Sequence, residues 1–254
     1  MSFAVGADAY DRFMGRYSVP LAPVFAEFAG VSAARKVLDV GCGPGALTSH
    51  LLHDLGFGTD AVSAIDPSDH FVNAARRRHP DVDVRHGSAE DLPFGDGVFD
   101  VTAAQLVVHF MADPVAGIGE MRRVTRDDGI VAACVWDHEG GGGPLDVFWR
   151  AAAALEPDVM GEAGLAGARA GHLAALFREA ELDDVEDTTL SVVVEHATFE
   201  EWWQPYTLGV GPAGAHVARL TDDQRVELRD LCRVMLPAAP FALTARAWAA
   251  RGHA

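Results

Sequence analysis

The sequence predicts a doubly wound α/β fold: a mostly parallel sheet with helices on both faces, an antiparallel last strand and helical cap insertions. Three observations carry this. Short β-branched apolar runs alternate with amphipathic runs from residue 35 onward. A glycine-rich stretch, Gly41-Cys42-Gly43-Pro44-Gly45, separates the first strand from the first core helix. An acidic residue, Asp66, closes the second strand. Apolar strands alternating with helices imply parallel pairing, with ligands bound beyond the C-terminal strand ends.

Residues 36–40 read as a buried strand and 45–55 as the helix after it. Residues 61–65 form the second strand, followed by a helix over 68–78. Residues 82–85 and 99–103 are the third and fourth strands, 114–124 a helix and 130–135 the fifth strand. A β-rich run at 190–195 and a strand from 241 to 248 close the set. The expected division is a helical lead-in or lid (1–34), a ligand-binding core (35–136), a helical insertion (137–180) and closing strands with an aromatic and helical cap (181–254), in one domain. The glycine run 140–143 reads equally as a lid hinge or a disordered surface loop.

Composition narrows the function. The 254 residues carry a formal net charge of −17, which disfavours a phosphate backbone or an anionic membrane as partner. Arg76-Arg77-Arg78 is the single basic cluster and reads as a solvated helix end. The three cysteines, Cys42, Cys134 and Cys232, are scattered without metal or disulfide spacing, which fits a reducing cytoplasm. The N-terminal residues lack a basic-then-apolar signal pattern, no apolar stretch is long enough to span a membrane, and no metal site is expected.

Glycines at 41, 43 and 45 let the chain turn sharply and let a ligand approach the backbone, with the N–H groups of a helix behind it. Their spacing departs from the dinucleotide fingerprint GxGxxG. Asp66 can accept hydrogen bonds from both hydroxyls of a ribose, or cap the next helix, where Ser68 is the better cap. Asp39, an acid ending an apolar strand, either orders the glycine loop or faces a ligand's ammonium group.

Together VLDVGCGPG, Asp66, GSAEDLPFGDGVFD (87–100) and EMRRVTRDDGIVAACVW (120–136) resemble class I S-adenosylmethionine (SAM) methyltransferases, in the small-molecule type 11 or UbiE-like branch. YDRFMGRYS (10–18) is similar to that group's lead-in. The resemblance implies a Rossmann-like sheet, SAM as cofactor, and methyl transfer to O, N, C or S of a small organic acceptor. It implies that Gly41 and Gly43 cradle the methionine portion, Asp66 binds ribose and Pro67 packs on adenine. Ser88 and Ala89 would meet the adenine edge. Ser88 replaces the usual aspartate, so Glu90 is an alternative holder. Gln105 would meet the methionine end through its backbone, and Tyr10 and Arg16 the SAM carboxylate or the closure of the site.

His109, shortly after the fourth strand, is the first candidate base, since an imidazole titrates near neutrality; a packing role is the alternative. His138 and Asp137 are weaker candidates. His50, His53, His70, His79 and His86 read as structural. The aromatics Phe148-Trp149 and 202–206 either line the acceptor pocket or pack the cap. No Tyr-x-x-x-Lys occurs, because Tyr10, Tyr17 and Tyr206 lack a lysine four residues on, which disfavours hydride transfer. Two other readings stand beside methyl transfer: a nicotinamide-dependent oxidoreductase, and a non-catalytic SAM-binding regulator. Oligomeric state is not legible.

Overall fold

A computed structural model describes residues 6–254; the first five residues of the lead-in lie outside that range. Among the described residues there are seven strands: β1 (Val37–Val40), β2 (Val62–Asp66), β3 (Asp83–His86), β4 (Phe99–Gln105), β5 (Thr125–Trp136), β6 (Asp183–His196) and β7 (Phe241–His253). They form one sheet in the order β3-β2-β1-β4-β5-β7-β6. Strands β1 to β5 pair in parallel, and β7 runs antiparallel to both β5 and β6. The chain winds outward from β1 to β3 and then restarts beside β1 with β4. Strand order therefore reverses between β1 and β4, where a doubly wound sheet opens a crevice.

Apolar residues cover both faces of this sheet. One face packs α2 (Arg16–Phe28), α3 (Ala46–Ser49) and α4 (Asp69–Arg78) through Leu21, Leu47 and Val72. The other packs α5 (Pro114–Val124) and α7 (His172–Glu179) through Ile118, Met121 and Phe177. Pro20 and Pro23 lie inside α2. Each interior proline costs roughly 3 kcal/mol. Burial of Tyr17, Leu21 and Phe25 offsets this at about 1.5–3 kcal/mol per side chain, so packing rather than helix propensity holds α2. A four-residue α1 (Ala7–Tyr10) and a π-type turn over Asp11–Gly15 precede it.

A third apolar cluster builds the cap from α6 (Asp146–Leu155), α8 (Phe199–Trp203), α9 (Gly211–Arg219) and α10 (Asp222–Met235). Phe148, Trp202, Trp203 and Tyr206 sit inside that cluster, so these aromatics pack the cap.

The expected strand at 190–195 is longer in the structure, because the polar run before it (Asp183–Thr189) pairs with β7 while staying mostly exposed. Such an edge strand shows no apolar alternation to read. The glycine run 140–143 forms a hydrogen-bonded turn. Asp137, fully buried, accepts the Gly140 N–H at 2.8 Å, and its backbone carbonyl accepts that of Gly143 at 2.7 Å. A Cβ at Gly142 would strike both the Asp137 carboxylate and the Arg246 guanidinium, so close approach requires glycine there. Nor is the Arg76–Arg78 cluster simply solvated. Arg76 donates to the Val84 carbonyl at 2.9 Å, while Arg78 bonds the Pro44 carbonyl and Asp11, each at 2.8 Å.

Candidate active site

A cavity of about 390 Å³ opens at the reversal between β1 and β4. Six of the residues read from the sequence line it: Tyr10, Gly41, Gly43, Asp66, Pro67 and Gln105. Ser68 to Phe71, from the start of α4, complete one side, and Leu106, Val107 and Phe110, after β4, the other. No lysine or arginine is among the lining residues, and Asp66 and Asp69 are. The cavity thus suits a cationic ligand better than a polyphosphate.

The glycine loop is shaped by its neighbours. Gly41 (φ +68°) passes so close to Val107 that a Cβ would strike both its methyl groups. Gly43 (φ +55°) has nothing within 4 Å of its Cβ position, leaving its backbone open beside the cavity. Asp66 ties the loop down: Oδ2 accepts the Gly43 N–H and Oδ1 the Ser68 N–H, both at 2.8 Å. Each carboxylate oxygen retains a free lone pair for a ribose hydroxyl. Burial raises the Asp66 pKa, opposed by these two bonds. Leu106 holds a left-handed backbone at φ +64°, the kind of strain that collects at ligand sites.

Gln105 donates from Nε2 to the Ser18 carbonyl at 2.8 Å, and its Oε1 is buried without a partner among the described residues. An orphaned buried acceptor beside a cavity fits a ligand's ammonium group. The resemblance implied the Gln105 backbone; the unpaired side-chain Oε1 is a second group of the same residue suited to that end of a ligand. Tyr10 reaches the cavity edge-on to Phe71, with ring centroids 5.1 Å apart.

The other expected residues do not line this cavity. Arg16 instead bonds His196 Nδ1 at 3.0 Å and the Glu201 carbonyl at 3.2 Å, joining α2 to β6 and the cap. Asp39 is buried and accepts the backbone N–H (3.1 Å) and hydroxyl (2.7 Å) of Thr48, so it orders the helix after the glycine loop. Burial pushes its pKa up to about 7. Ala89 is buried, and Ser88 donates to Glu90. Glu90 in turn accepts the Ala112 N–H at 2.8 Å, tying the loop after β3 to the loop after β4. Asp137 is committed to Arg246 and to Trp248 Nε1 at 3.1 Å, which makes it structural.

His109 lines a second, smaller space together with His138 and Glu162. It is 7% exposed, Nδ1 has no partner among the described residues, and burial drives its pKa well below the usual value. Sequence reasoning missed Asp69 and Glu162 and read His70 as structural, whereas it lines the cavity. Asp69 and His70 open the helix just after Asp66, a legible signal; Glu162 has none, since it is one acid in a connection after α6.

Comparison with known proteins places this geometry. Residues 38–133 match the methyltransferase domain family, a stretch running from β1 into β5, and this bears out the resemblance read from the motifs. An uncharacterised methyltransferase of Mycobacterium tuberculosis is 34% identical over 137 residues, covering 54% of this chain and 52% of the relative. A demethylmenaquinone methyltransferase of Beutenbergia cavernae is 38% identical over 100 residues, covering 39% of this chain and 40% of the relative. The chain thus spans about half or less of the length of these curated relatives. Among solved structures, the geranyl diphosphate C-methyltransferase of Streptomyces coelicolor, in complex with Mg2+, geranyl diphosphate and S-adenosylhomocysteine, superposes with a TM-score of 0.55 at 14% identity, covering 94% of this chain and 80% of that one. At that identity the likeness is one of fold, and it agrees with the predicted doubly wound, Rossmann-like sheet.

Proposed function

We propose that the protein binds S-adenosylmethionine in the 390 Å³ cavity and transfers its methyl group to a small organic acceptor. The observation that carries this reading is the cavity itself. It combines an open glycine turn, the ribose-competent Asp66 and the orphaned Gln105 Oε1, with no lysine or arginine in its lining. The match over residues 38–133 supports it. A dinucleotide needs room for a second nucleotide past β4, and the adjoining space there is only about 30 Å³.

In this reading Gly41 and Gly43 flank the methionine portion, Asp66 holds the ribose, Pro67 packs on adenine and Gln105 Oε1 accepts from the ammonium group. Bound there, SAM supplies an electrophilic methyl on a positively charged sulfur. The chain's own task is to align the acceptor and keep water out. His109 is the base. Its Nδ1 has no partner among the described residues and is the atom that would take a proton from a hydroxyl acceptor; burial, which lowers the imidazole's pKa, makes it a weaker base than a free histidine. The net charge of −17 favours a small molecule over nucleic acid. The three unpaired cysteines fit the cytoplasm, and no helix among the described residues is long and apolar enough to cross a membrane.

Calorimetry with SAM, S-adenosylhomocysteine, NAD and NADP tests the assignment. SAM and S-adenosylhomocysteine should bind more tightly; tighter binding of either dinucleotide would refute it. His109→Ala should lower turnover while leaving SAM affinity within about twofold. Tight SAM binding without transfer to any of a broad acceptor panel would favour a regulatory role.

A further inference from the structure

Behind the cofactor cavity lies the second space, of about 30 Å³. It shares Tyr10, Leu106 and Phe110 with the larger cavity, so the two adjoin. Phe13, Trp136, Leu145 and Val210 make most of its wall apolar. Besides Tyr10, three titratable side chains from separate parts of the chain line it: His109 after β4, His138 after β5, and Glu162 from the connection after α6.

Their polar atoms are short of partners. His109 Nδ1 and His138 Nε2 are buried without a hydrogen bond among the described residues. Glu162 is 4% exposed; its Oε2 accepts from Trp149 Nε1 at 2.8 Å, and Oε1 takes no bond among the described residues. Leaving a buried polar atom unpaired costs about 1–3 kcal/mol. Two such atoms, His109 Nδ1 and His138 Nε2, with the half-used Glu162 carboxyl beside them, mark one apolar space that a hydrogen-bonding ligand completes.

We propose that this space is the acceptor subsite, and that Glu162 selects there the reacting end of a small, uncharged, largely apolar molecule bearing a hydroxyl group. The inference rests on the methyl-transfer reading above. At roughly 10–15 Å³ per water-sized group, the space takes about two such groups: a hydroxyl and the carbon that carries it. The rest of the acceptor lies in the mouth formed by Tyr10, Leu106 and Phe110, which both cavities share. No lysine or arginine lines the space, so a carboxylate or phosphate would be desolvated beside Glu162 without a counter-charge. An ammonium group fares little better. Burial brings the Glu162 pKa up to about 7 and the His138 pKa down to about 4, so near neutrality the carboxyl is only partly ionised and the imidazole uncharged.

The test uses the full chain saturated with S-adenosylhomocysteine and titrated with four matched probes: phenol, benzoate, benzylamine and toluene. Ligand-observed NMR should show phenol binding at least tenfold more tightly than the other three. Glu162→Leu should weaken phenol at least tenfold while leaving S-adenosylhomocysteine affinity within twofold. Should that variant fail to fold, the wild-type protein still decides the matter, since bound phenol should give NOEs to the labelled methyl group of Met14, which lines the space. Equal binding of benzoate or benzylamine, absence of phenol binding, absence of the Met14 NOE, or unchanged phenol affinity in Glu162→Leu would each overturn the proposal while leaving the cofactor site intact. Failure of the wild-type protein to bind S-adenosylhomocysteine would overturn the methyl-transfer reading itself, and this inference with it.

Discussion

Replacing Asp66 with asparagine separates the residue's two roles. The carboxylate accepts two buried backbone N–H groups, from Gly43 and Ser68, each at 2.8 Å. Hydrogen bonds to a charged group contribute about 1.5–3 kcal/mol each. Burial nevertheless outweighs them, since the Asp66 pKa is raised rather than lowered. Removing the charge relieves a desolvation penalty, but the amide accepts only one of the two N–H groups and turns its own N–H donors on the other, so Asp66→Asn should cost unliganded stability about 1–3 kcal/mol. The ligand side has no such compensation. Loss of charge-assisted bonds to two ribose hydroxyls should weaken S-adenosylhomocysteine by roughly 10- to 100-fold, from about 1.4–2.7 kcal/mol. Thermal shift reads both effects. At a ligand concentration of about 100 Kd, the wild-type protein gains about 2.7 kcal/mol, or roughly 5–11 °C for a chain of this size. At the same concentration the variant gains only about 0.4–1.4 kcal/mol. A variant that keeps the full ligand-induced shift would show that Asp66 does not hold the ribose. One that melts far below the wild type without ligand would show that its loop-tying role dominates.

Further outcomes follow from other positions. Gly41→Ala should destabilise the unliganded fold by more than the 1–2 kcal/mol of a left-handed alanine, because its Cβ strikes Val107. Gly43→Ala, with open space around it, should cost only that strain and should mainly weaken S-adenosylhomocysteine; urea melts and calorimetry distinguish the two, and equal stability losses would refute the contrast. Asp39, buried, has a folded-state pKa of about 7, above its unfolded value. Its protonated form therefore favours folding, a contribution present below about pH 4 and lost as pH rises through 7. Over that window wild-type stability should fall relative to Asp39→Asn by up to about 4 kcal/mol, and parallel stability–pH curves would contradict this. Arg246→Met strands the fully buried Asp137 carboxylate and should cost about 3–5 kcal/mol. Asp137→Asn, which leaves a half-exposed Arg246 free to turn to water, should cost less in the same melts.

Local chemistry made the core legible. β1 and its glycine turn, Asp66 at the end of β2, and Asp113-Pro114 opening α5 are set by residues whose backbone preferences act over a few positions. The structure places β1, Asp66 and the start of α5 as the spacing predicts, and adds a cap not read from the sequence, Asp113 accepting the Ala116 N–H at 3.0 Å. The doubly wound class was readable too, because parallel pairing with crossover helices admits few windings; the order β3-β2-β1-β4-β5-β7-β6 came from the structure. Which long side chains reach the cavity was not readable. Arg16 and Glu90 have the right chemistry and the right neighbourhood, yet Arg16 is drawn to His196 and Glu90 to the loop after β4. Competition among distant partners decides such cases, and a linear sequence does not show which partner is nearest. The same holds for the glycine run at 140–143, whose turn packs on the buried Asp137 carboxylate and its partner Arg246, more than a hundred residues apart in sequence. Glu162 carries no local pattern at all; only folding of the cap brings it beside His109 and His138. The cofactor cradle is thus written in short-range sequence, because backbone geometry makes it. The space beside it exists only in the tertiary structure, because side chains from segments far apart must converge to enclose it.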